Sequence, residues 1–141
     1  PAMVRAARDA AEANAWDGGR SHILAVTVLT SMSDEDMAAQ AISGSARDHV
    51  LRLGELALNA GADGLVCSPL EIEPLRAALG DDALLVTPGI RPAGSDVGDQ
   101  KRVMTPDEAM ALGASYLVIG RPITGADDPA AAAREIAGSL G

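Results

Sequence analysis

Two arginines and a glutamine follow short apolar runs in the second half of the sequence, with glycines beside them. Arg91 stands in the motif TPGIRP, Gln100 in GDQKR, and Arg121 directly after Gly120 in IGRP. Guanidinium groups bind phosphate oxygens in a bidentate manner. Glycines allow backbone N–H groups to approach a bound anion closely. These residues therefore predict a site for a phosphate dianion.

The motifs lie within an alternation of predicted helices and strands. An Ala-rich amphipathic helix is predicted over residues 2–15, and Gly18-Gly19 ends it. Strands are predicted over 23–29, 64–67, 84–87 and 116–119. Longer helices are predicted over 46–60 and from Ser68, Thr105 and Asp128 onwards, and Asp34-Glu35-Asp36 indicates a short one. The helices at 68 and 105 open with the Ser/Thr-Pro-x-Glu pattern of a capping box.

This order, one leading helix and then four βα units, predicts an α/β fold with a parallel sheet. The strands are near-continuous apolar runs, which is typical of parallel strands buried on both faces. Phosphate binding by the last two strand-to-helix loops is a recurring arrangement in (β/α)₈ TIM barrels. Since such a barrel needs eight strands, residues 1–141 are expected to form about its C-terminal half as one domain.

Composition narrows the classes of partner. The net charge of −9 argues against nucleic acid or an anionic membrane, and no apolar run approaches the roughly 18 residues of a membrane span. Cys67 is the only cysteine, so we expect no disulfide and a cytoplasmic location. His22 and His49 lack partners at metal-ligand spacing, and no metal site is predicted. With Trp16 and Tyr116 as the only aromatic residues, the core must be aliphatic.

Five motifs in order resemble one family closely: LTSM at 29–32, TPGIRP at 87–92, GDQKR at 98–102, MTP at 104–106 and IGRP at 119–122. Their sequence and spacing are similar to those of bacterial orotidine 5′-phosphate decarboxylase. The resemblance runs from about residue 1 to the C-terminus. It implies a (β/α)₈ barrel, a homodimer, and conversion of orotidine 5′-monophosphate to UMP and CO₂ without metal or organic cofactor.

The resemblance also implies roles for individual residues. Arg121 and the backbone of Gly120 would hold the phosphate, and Gln100 would reach both the phosphate and the pyrimidine. Arg91 begins a loop that closes over the nucleotide in the family, and the Gly-rich segment 92–100 suits such a lid. Thr30 matches a substrate contact near the ribose and base.

The family's catalytic motif does not occur in this sequence. Its Asp-x-Lys-x-x-Asp supplies the lysine that protonates the carbanion left by CO₂, whereas the single lysine here, Lys101, belongs to the GDQKR motif. We therefore predict no catalytic residue in this chain. An upstream half with four strands is expected to carry them, and the chain is expected to work as a homodimer or with a complementing N-terminal half.

Two alternatives stay open from the sequence. One is a related phosphosugar decarboxylase or aldolase on the same barrel, which would also bind phosphate with its last two loops. The other is a non-catalytic half-barrel for binding or assembly, whose sheet would expose edge strands and an apolar face.

Overall fold

Four parallel strands form one sheet whose spatial order follows the chain, β1-β2-β3-β4. The computed structural model describes residues 1–94, 98 and 101–140. The strands are β1 (Leu24–Val26), β2 (Gly64–Val66), β3 (Leu84–Thr87) and β4 (Tyr116–Leu117). Ala25 pairs with Leu65, which pairs with Leu85, and Thr87 pairs with Leu117. The predicted parallel sheet is confirmed.

Helices connect the strands and flank them in the predicted order. They are α1 (Ala2–Ala13), α2 (Asp34–Ala39), α3 (Ala46–Leu58), α4 (Ile72–Leu79), α5 (Pro106–Ala111), α6 (Arg121–Thr124) and α7 (Pro129–Gly138). The short α6, directly after β4, is an element that the sequence patterns did not indicate. The capping box at Thr105 is confirmed, because the Glu108 carboxylate accepts hydrogen bonds from the backbone N–H and hydroxyl of Thr105.

The capping box predicted at Ser68 is confirmed in part, since Ser68 is the N-cap and Pro69 lies in the first turn. The Ser68 hydroxyl accepts a hydrogen bond from the N–H of Leu70, and Pro69–Glu71 form a 3₁₀ turn ahead of α4. The Glu71 carboxylate is also buried against Arg102. Burial, the larger effect, raises the pKa of Glu71, whereas the charge of Arg102 and the hydroxyl and backbone N–H of Ser68 all lower it.

The core lies between one face of the sheet and helices α3 and α4. Leu65 and Leu85 on the central strands are buried with Val50 of α3 and Leu75 of α4. At Gly54 of α3 there is no room for a side chain, since an added Cβ would lie 2.8 Å from the Leu65 side chain. The core is aliphatic as predicted, and both aromatic residues are 59% exposed.

The other face of the sheet is open, which corrects the prediction of strands buried on both faces. Leu24 and Val26 of β1 are 40% and 60% exposed, and Tyr116 and Val118 are about half exposed or more. These four residues, together with the partly buried Val66 and Val86, form what we call the open face. β1, β2 and β4 are also shorter than the predicted strands.

Contacts ahead of the strands hold α1 to the sheet. Asp63, just before β2, accepts hydrogen bonds from Arg8 of α1, from Arg20 and from the N–H of Ile23. Between α1 and β1, Trp16 and Gly19 exchange two backbone hydrogen bonds in a tight turn. No helix in the described part of the chain has the length and apolar character needed to cross a membrane.

Candidate functional site

A pocket of about 340 Å³ lies at the carboxyl ends of β1, β3 and β4. It is lined by Leu29, Thr30, Ser31, Pro88, Gly89, Arg91, Val118, Gly120 and Arg121. Four of the five residues predicted from the sequence therefore meet in one place, although Thr30 and Arg121 are far apart in the chain. The carboxyl ends of parallel strands are where α/β barrels place their ligands.

Arg121 owes its position to the sharp turn from β4 into α6. The carbonyl oxygen of Gly120 accepts hydrogen bonds from the N–H groups of Ile123 and Thr124, at 2.8 and 3.0 Å. A Cβ added to Gly120 would have no heavy atom of the described residues within 4 Å apart from its chain neighbours. A ligand can therefore approach the Gly120 backbone. Arg121 begins the helix and is exposed at the pocket. This geometry places a cation and an open backbone side by side.

Arg91 lines the same pocket but is buried, with 8% exposure. Its N–H donates to the carbonyl of Met104 at 2.9 Å, and its Nη1 donates to the carbonyl of Ile90 at 2.8 Å. Ile90 and Met104 form a parallel bridge that extends the path of β3. The Arg91 side chain thus bonds to the carbonyl of Ile90. The pocket carries two guanidinium groups in a chain of net charge −9.

Thr30 is buried at the end of β1 and packs against the backbone of Gly89. Its carbonyl oxygen accepts a hydrogen bond from the N–H of Lys101 at 3.3 Å. Gly89 has a φ of +79°, and an added Cβ would lie 2.9 Å from the carbonyl oxygen of Arg102. Only glycine therefore lets the TPGIRP motif pass this close to both segments.

Gln100, the fifth predicted residue, lies outside the described residues. Most of the predicted lid, 92–100, does so too, and its closure stays a prediction. Gly98 is described, and a Cβ built on it would lie 2.7 Å from Nη1 of Arg121. This part of the loop therefore runs directly over the Arg121 guanidinium.

Glu71 and Arg102 form a buried ion pair beside the pocket that the sequence analysis missed. Nη1 of Arg102 contacts Oε1 of Glu71, and both residues are less than 10% exposed. Burial raises the pKa of Glu71, and the charge of Arg102 opposes that rise. Two features of the sequence could have indicated this pair: Glu71 just past a buried strand, and Arg102 directly after Lys101. The capping pattern gave Glu71 a simpler interpretation.

Lys101 and Cys67 are two further titratable residues that the structure describes near the strand ends. Lys101 is ion-paired with Asp36 on α2, with 2.7 Å between Nζ and Oδ2, and it does not line the pocket. That pairing holds the pKa of Asp36 below its usual range. Burial raises the pKa of Cys67 to about 12, as expected of a core thiol. Within the described ranges, no group of three or more His, Cys, Asp or Glu residues is placed to hold a metal ion.

Comparisons with known proteins identify the family of this chain. The sequence model of the "Orotidine 5'-phosphate decarboxylase / HUMPS family" matches residues 1–136. The orotidine 5'-phosphate decarboxylase of Rhodospirillum rubrum is 57% identical over 141 residues, which are 99% of this chain and 57% of that protein. That of Gluconobacter oxydans is 56% identical over 135 residues, 95% of this chain and 57% of that protein.

Solved structures give the same result for the fold. The crystal structure of orotidine 5'-phosphate decarboxylase from Lactobacillus acidophilus superposes with a TM-score of 0.80 at 41% identity, covering 98% of this chain and 58% of that one. An uncharacterized conserved protein from Geobacillus kaustophilus gives 0.78 at 30% identity, covering 99% and 58%.

The sheet with its flanking helices is thus about half of a (β/α)₈ barrel. The chain belongs to the orotidine 5′-phosphate decarboxylase / HUMPS family. It spans a little over half the length of the curated relatives it matches.

Proposed function

We propose that this chain supplies the nucleotide- and phosphate-binding part of an orotidine 5′-phosphate decarboxylase, which forms UMP and CO₂ from orotidine 5′-monophosphate. The observation that carries the proposal is the convergence of Thr30, Arg91, Gly120 and Arg121 on one pocket at the carboxyl ends of the strands. The names of the curated relatives support the choice of substrate.

In this proposal Arg121 and the backbone of Gly120 bind the phosphate. A guanidinium at the end of β4 offers charge-assisted hydrogen bonds, and the open backbone beside it admits the dianion. Arg91 adds a second positive charge from the loop after β3, and Thr30 contacts the ribose and base from β1. Gln100 would join phosphate and pyrimidine from the lid. No metal or organic cofactor is part of the proposal.

Binding at the phosphate contributes to catalysis, and the reaction also needs a proton donor at the carbon that loses CO₂. When the carbon–carboxylate bond breaks, its electron pair stays on the pyrimidine ring and must accept a proton. Arginine is a poor proton donor, because a guanidinium group keeps its proton in proteins. Lys101 is engaged with Asp36 away from the pocket lining. We therefore assign the proton-donating lysine to another segment of the barrel.

The open face is where that segment would pack. Leu24, Val26, Tyr116 and Val118 expose apolar surface beside two sheet edges, β1 and β4, that have one neighbour each. Strands of the other half of a family barrel would cover this surface and pair with both edges. A homodimer of complete barrels and a cytoplasmic location complete the proposal.

The test is calorimetric titration of the folded chain with UMP, uridine and ribose 5-phosphate. We expect UMP to bind and uridine to bind far more weakly, because uridine lacks the phosphate. Equal affinity for ribose 5-phosphate and UMP would instead favour a phosphosugar enzyme. A chain that is folded but does not bind UMP would contradict the proposal.

A decarboxylation assay tests whether the proton-donating lysine belongs to another segment of the barrel. We expect no conversion of orotidine 5′-monophosphate by a sample whose intact mass is 14.3 kDa. Turnover at that mass would require a proton donor within this chain and would refute the assignment of the lysine to another segment.

A further inference from the structure

We infer that the buried Glu71–Arg102 pair is a positioning pair that holds three strand ends in the geometry of the ligand pocket. The inference rests on the proposed function, because it assigns a task to residues behind the nucleotide site. Neither side chain lines the pocket. Their effect on a ligand must therefore pass through the backbone that they hold.

One guanidinium connects elements that follow three different strands. Arg102 itself lies on the connection after β3, and its Nη1 contacts the Glu71 carboxylate, which follows β2. Its Nη2 donates to the carbonyl oxygen of Leu29 at 2.9 Å and to that of Val28 at 3.3 Å. Both carbonyls lie just past β1, directly before Thr30.

The backbone of the same segment completes the connection to the pocket. The N–H of Lys101 donates to the carbonyl of Thr30, so the peptide groups before and after Thr30 are both hydrogen-bonded to this segment. The carbonyl oxygen of Arg102 lies close to Gly89, since a Cβ added to Gly89 would be only 2.9 Å from it. A shift of Arg102 would therefore move the walls of the pocket on the side of Thr30 and Gly89.

Stability alone does not account for a pair of this kind. Two charges removed from water lose hydration that their mutual attraction recovers only in part, and apolar residues of similar volume often serve a core equally well. Within the described part of the chain, Oε2 of Glu71 and Nε of Arg102 have no hydrogen-bond partner. Unlike an apolar pair, the ion pair orients the Arg102 guanidinium so that it can donate several hydrogen bonds at once.

Lysine in place of Arg102 would not reproduce this arrangement. The guanidinium is a rigid planar fork with five donors, which lets it reach a carboxylate and two carbonyls together. An ammonium is a single point with three donors on a flexible stem. Arg102→Lys therefore keeps the charge and removes the geometry.

Arg76 offers a matched control. It is a partly buried arginine that donates to the backbone carbonyls of Gly113 and Ala83, at 2.8 Å each. These contacts lie ahead of β3 and β4, at the opposite ends of the strands from the pocket. Arg76→Lys should therefore lower stability without changing ligand affinity.

The experiment measures UMP affinity by calorimetry and stability by urea unfolding on the same samples. We expect Arg102→Lys to weaken UMP binding tenfold or more, and Arg76→Lys to leave it within twofold. The double variant Glu71→Leu/Arg102→Met removes both charges and keeps the volume. We expect it to remain as stable as the parent chain while its UMP affinity also falls at least tenfold.

Amide hydrogen exchange at Lys101 separates this inference from the proposed function. If the parent chain does not bind UMP, the proposed function fails. Faster exchange of the Lys101 amide in Arg102→Lys than in the parent chain would still support the positioning role. Unchanged UMP affinity in both the lysine and the double variant overturns the inference. So does equal loss of affinity in Arg76→Lys, or, without UMP binding, unchanged exchange at Lys101.

Discussion

The backbone of Gly89 lies so close to Thr30 that a Cβ added to Gly89 would be 3.2 Å from Cγ2 of Thr30. The two residues come from the ends of β3 and β1, which β2 separates in the sheet. Beyond the strand ends, the chain therefore crosses over β2 and closes one side of the pocket. The proline and glycine of TPGIRP make that crossing possible.

Gly89→Ala tests this contact. We expect a loss of about 2 to 4 kcal/mol in the free energy of unfolding, from backbone strain at positive φ together with overpacking against Thr30 and Arg102. UMP affinity should fall as well, because the pocket wall must move. Urea unfolding and calorimetry measure the two effects.

Gly80→Ala is the control for that variant. Gly80 has a φ of +77°, but an added Cβ would meet no heavy atom of the described residues within 4 Å. The substitution therefore introduces similar backbone strain without the overpacking. A loss of UMP affinity in Gly80→Ala too would remove the role given to the Gly89–Thr30 contact.

Arg121→Ala should weaken UMP binding by about 2 to 4 kcal/mol, the scale for losing charge-assisted hydrogen bonds to a dianion. Affinity for uridine should not change, since uridine has no phosphate for this side chain to bind. Calorimetry of both ligands gives the answer. Arg134→Ala on α7 makes the same change in net charge at a position away from the pocket. Unchanged UMP affinity in Arg121→Ala would refute the phosphate assignment.

Asp63→Asn addresses stability and its dependence on pH. The Arg20 guanidinium, as the main cause, and the Ile23 N–H lower the pKa of the Asp63 carboxyl. A depressed pKa in the folded state stabilises the protein above the unfolded value of about 3.9, and this contribution is lost as the pH falls below it. At pH 7 we expect the variant to lose about 2 to 3 kcal/mol.

The difference in unfolding free energy between parent and Asp63→Asn should therefore shrink as the pH is lowered from 5 to about 2. Asp82→Asn, at an exposed position in the turn before β3, should show neither effect. A difference that is constant across this range would mean that Asp63 acts through its shape and not through its charge.

Val26→Glu tests the open face. We expect the parent chain to self-associate or bind an apolar dye through its exposed apolar residues, and a carboxylate at Val26 to reduce both. Light scattering and dye fluorescence measure this. Leu70→Glu changes the same charge at a leucine that is 52% exposed on the 3₁₀ turn, and it should have little effect. A parent chain that is monomeric, melts cooperatively and binds no dye would contradict a need for a covering half.

The strand-end loops could be predicted from the sequence because their signals are local. TPGIRP and IGRP each combine an apolar run with residues that turn the chain, so the positions of Arg91 and Arg121 followed from short-range patterns. The parallel order of the sheet followed from the repeated βα units. Each such inference needs only residues that are close in sequence.

The Glu71–Arg102 pair depends on a contact between residues 31 apart, and a local pattern gave a competing interpretation. Glu three residues after Ser68 matches a capping box, and nothing nearby shows that a cation will be buried against it. The exposure of Val26 and Tyr116 was missed in the strand assignments for a related reason. An apolar run indicates that a surface prefers burial, but it does not show which segment covers it.

The single tryptophan and the single tyrosine lie in different parts of the molecule and give two separate optical signals. Trp16 lies in the exposed turn ahead of β1, remote from the pocket, whereas Tyr116 lies on the open face. Indole emission will therefore report on the turn between α1 and β1 and will not sense nucleotide in the pocket. Phenol absorbance will change when another segment covers the sheet. Unlabelled protein thus carries one reporter for the turn ahead of β1 and another for the open face.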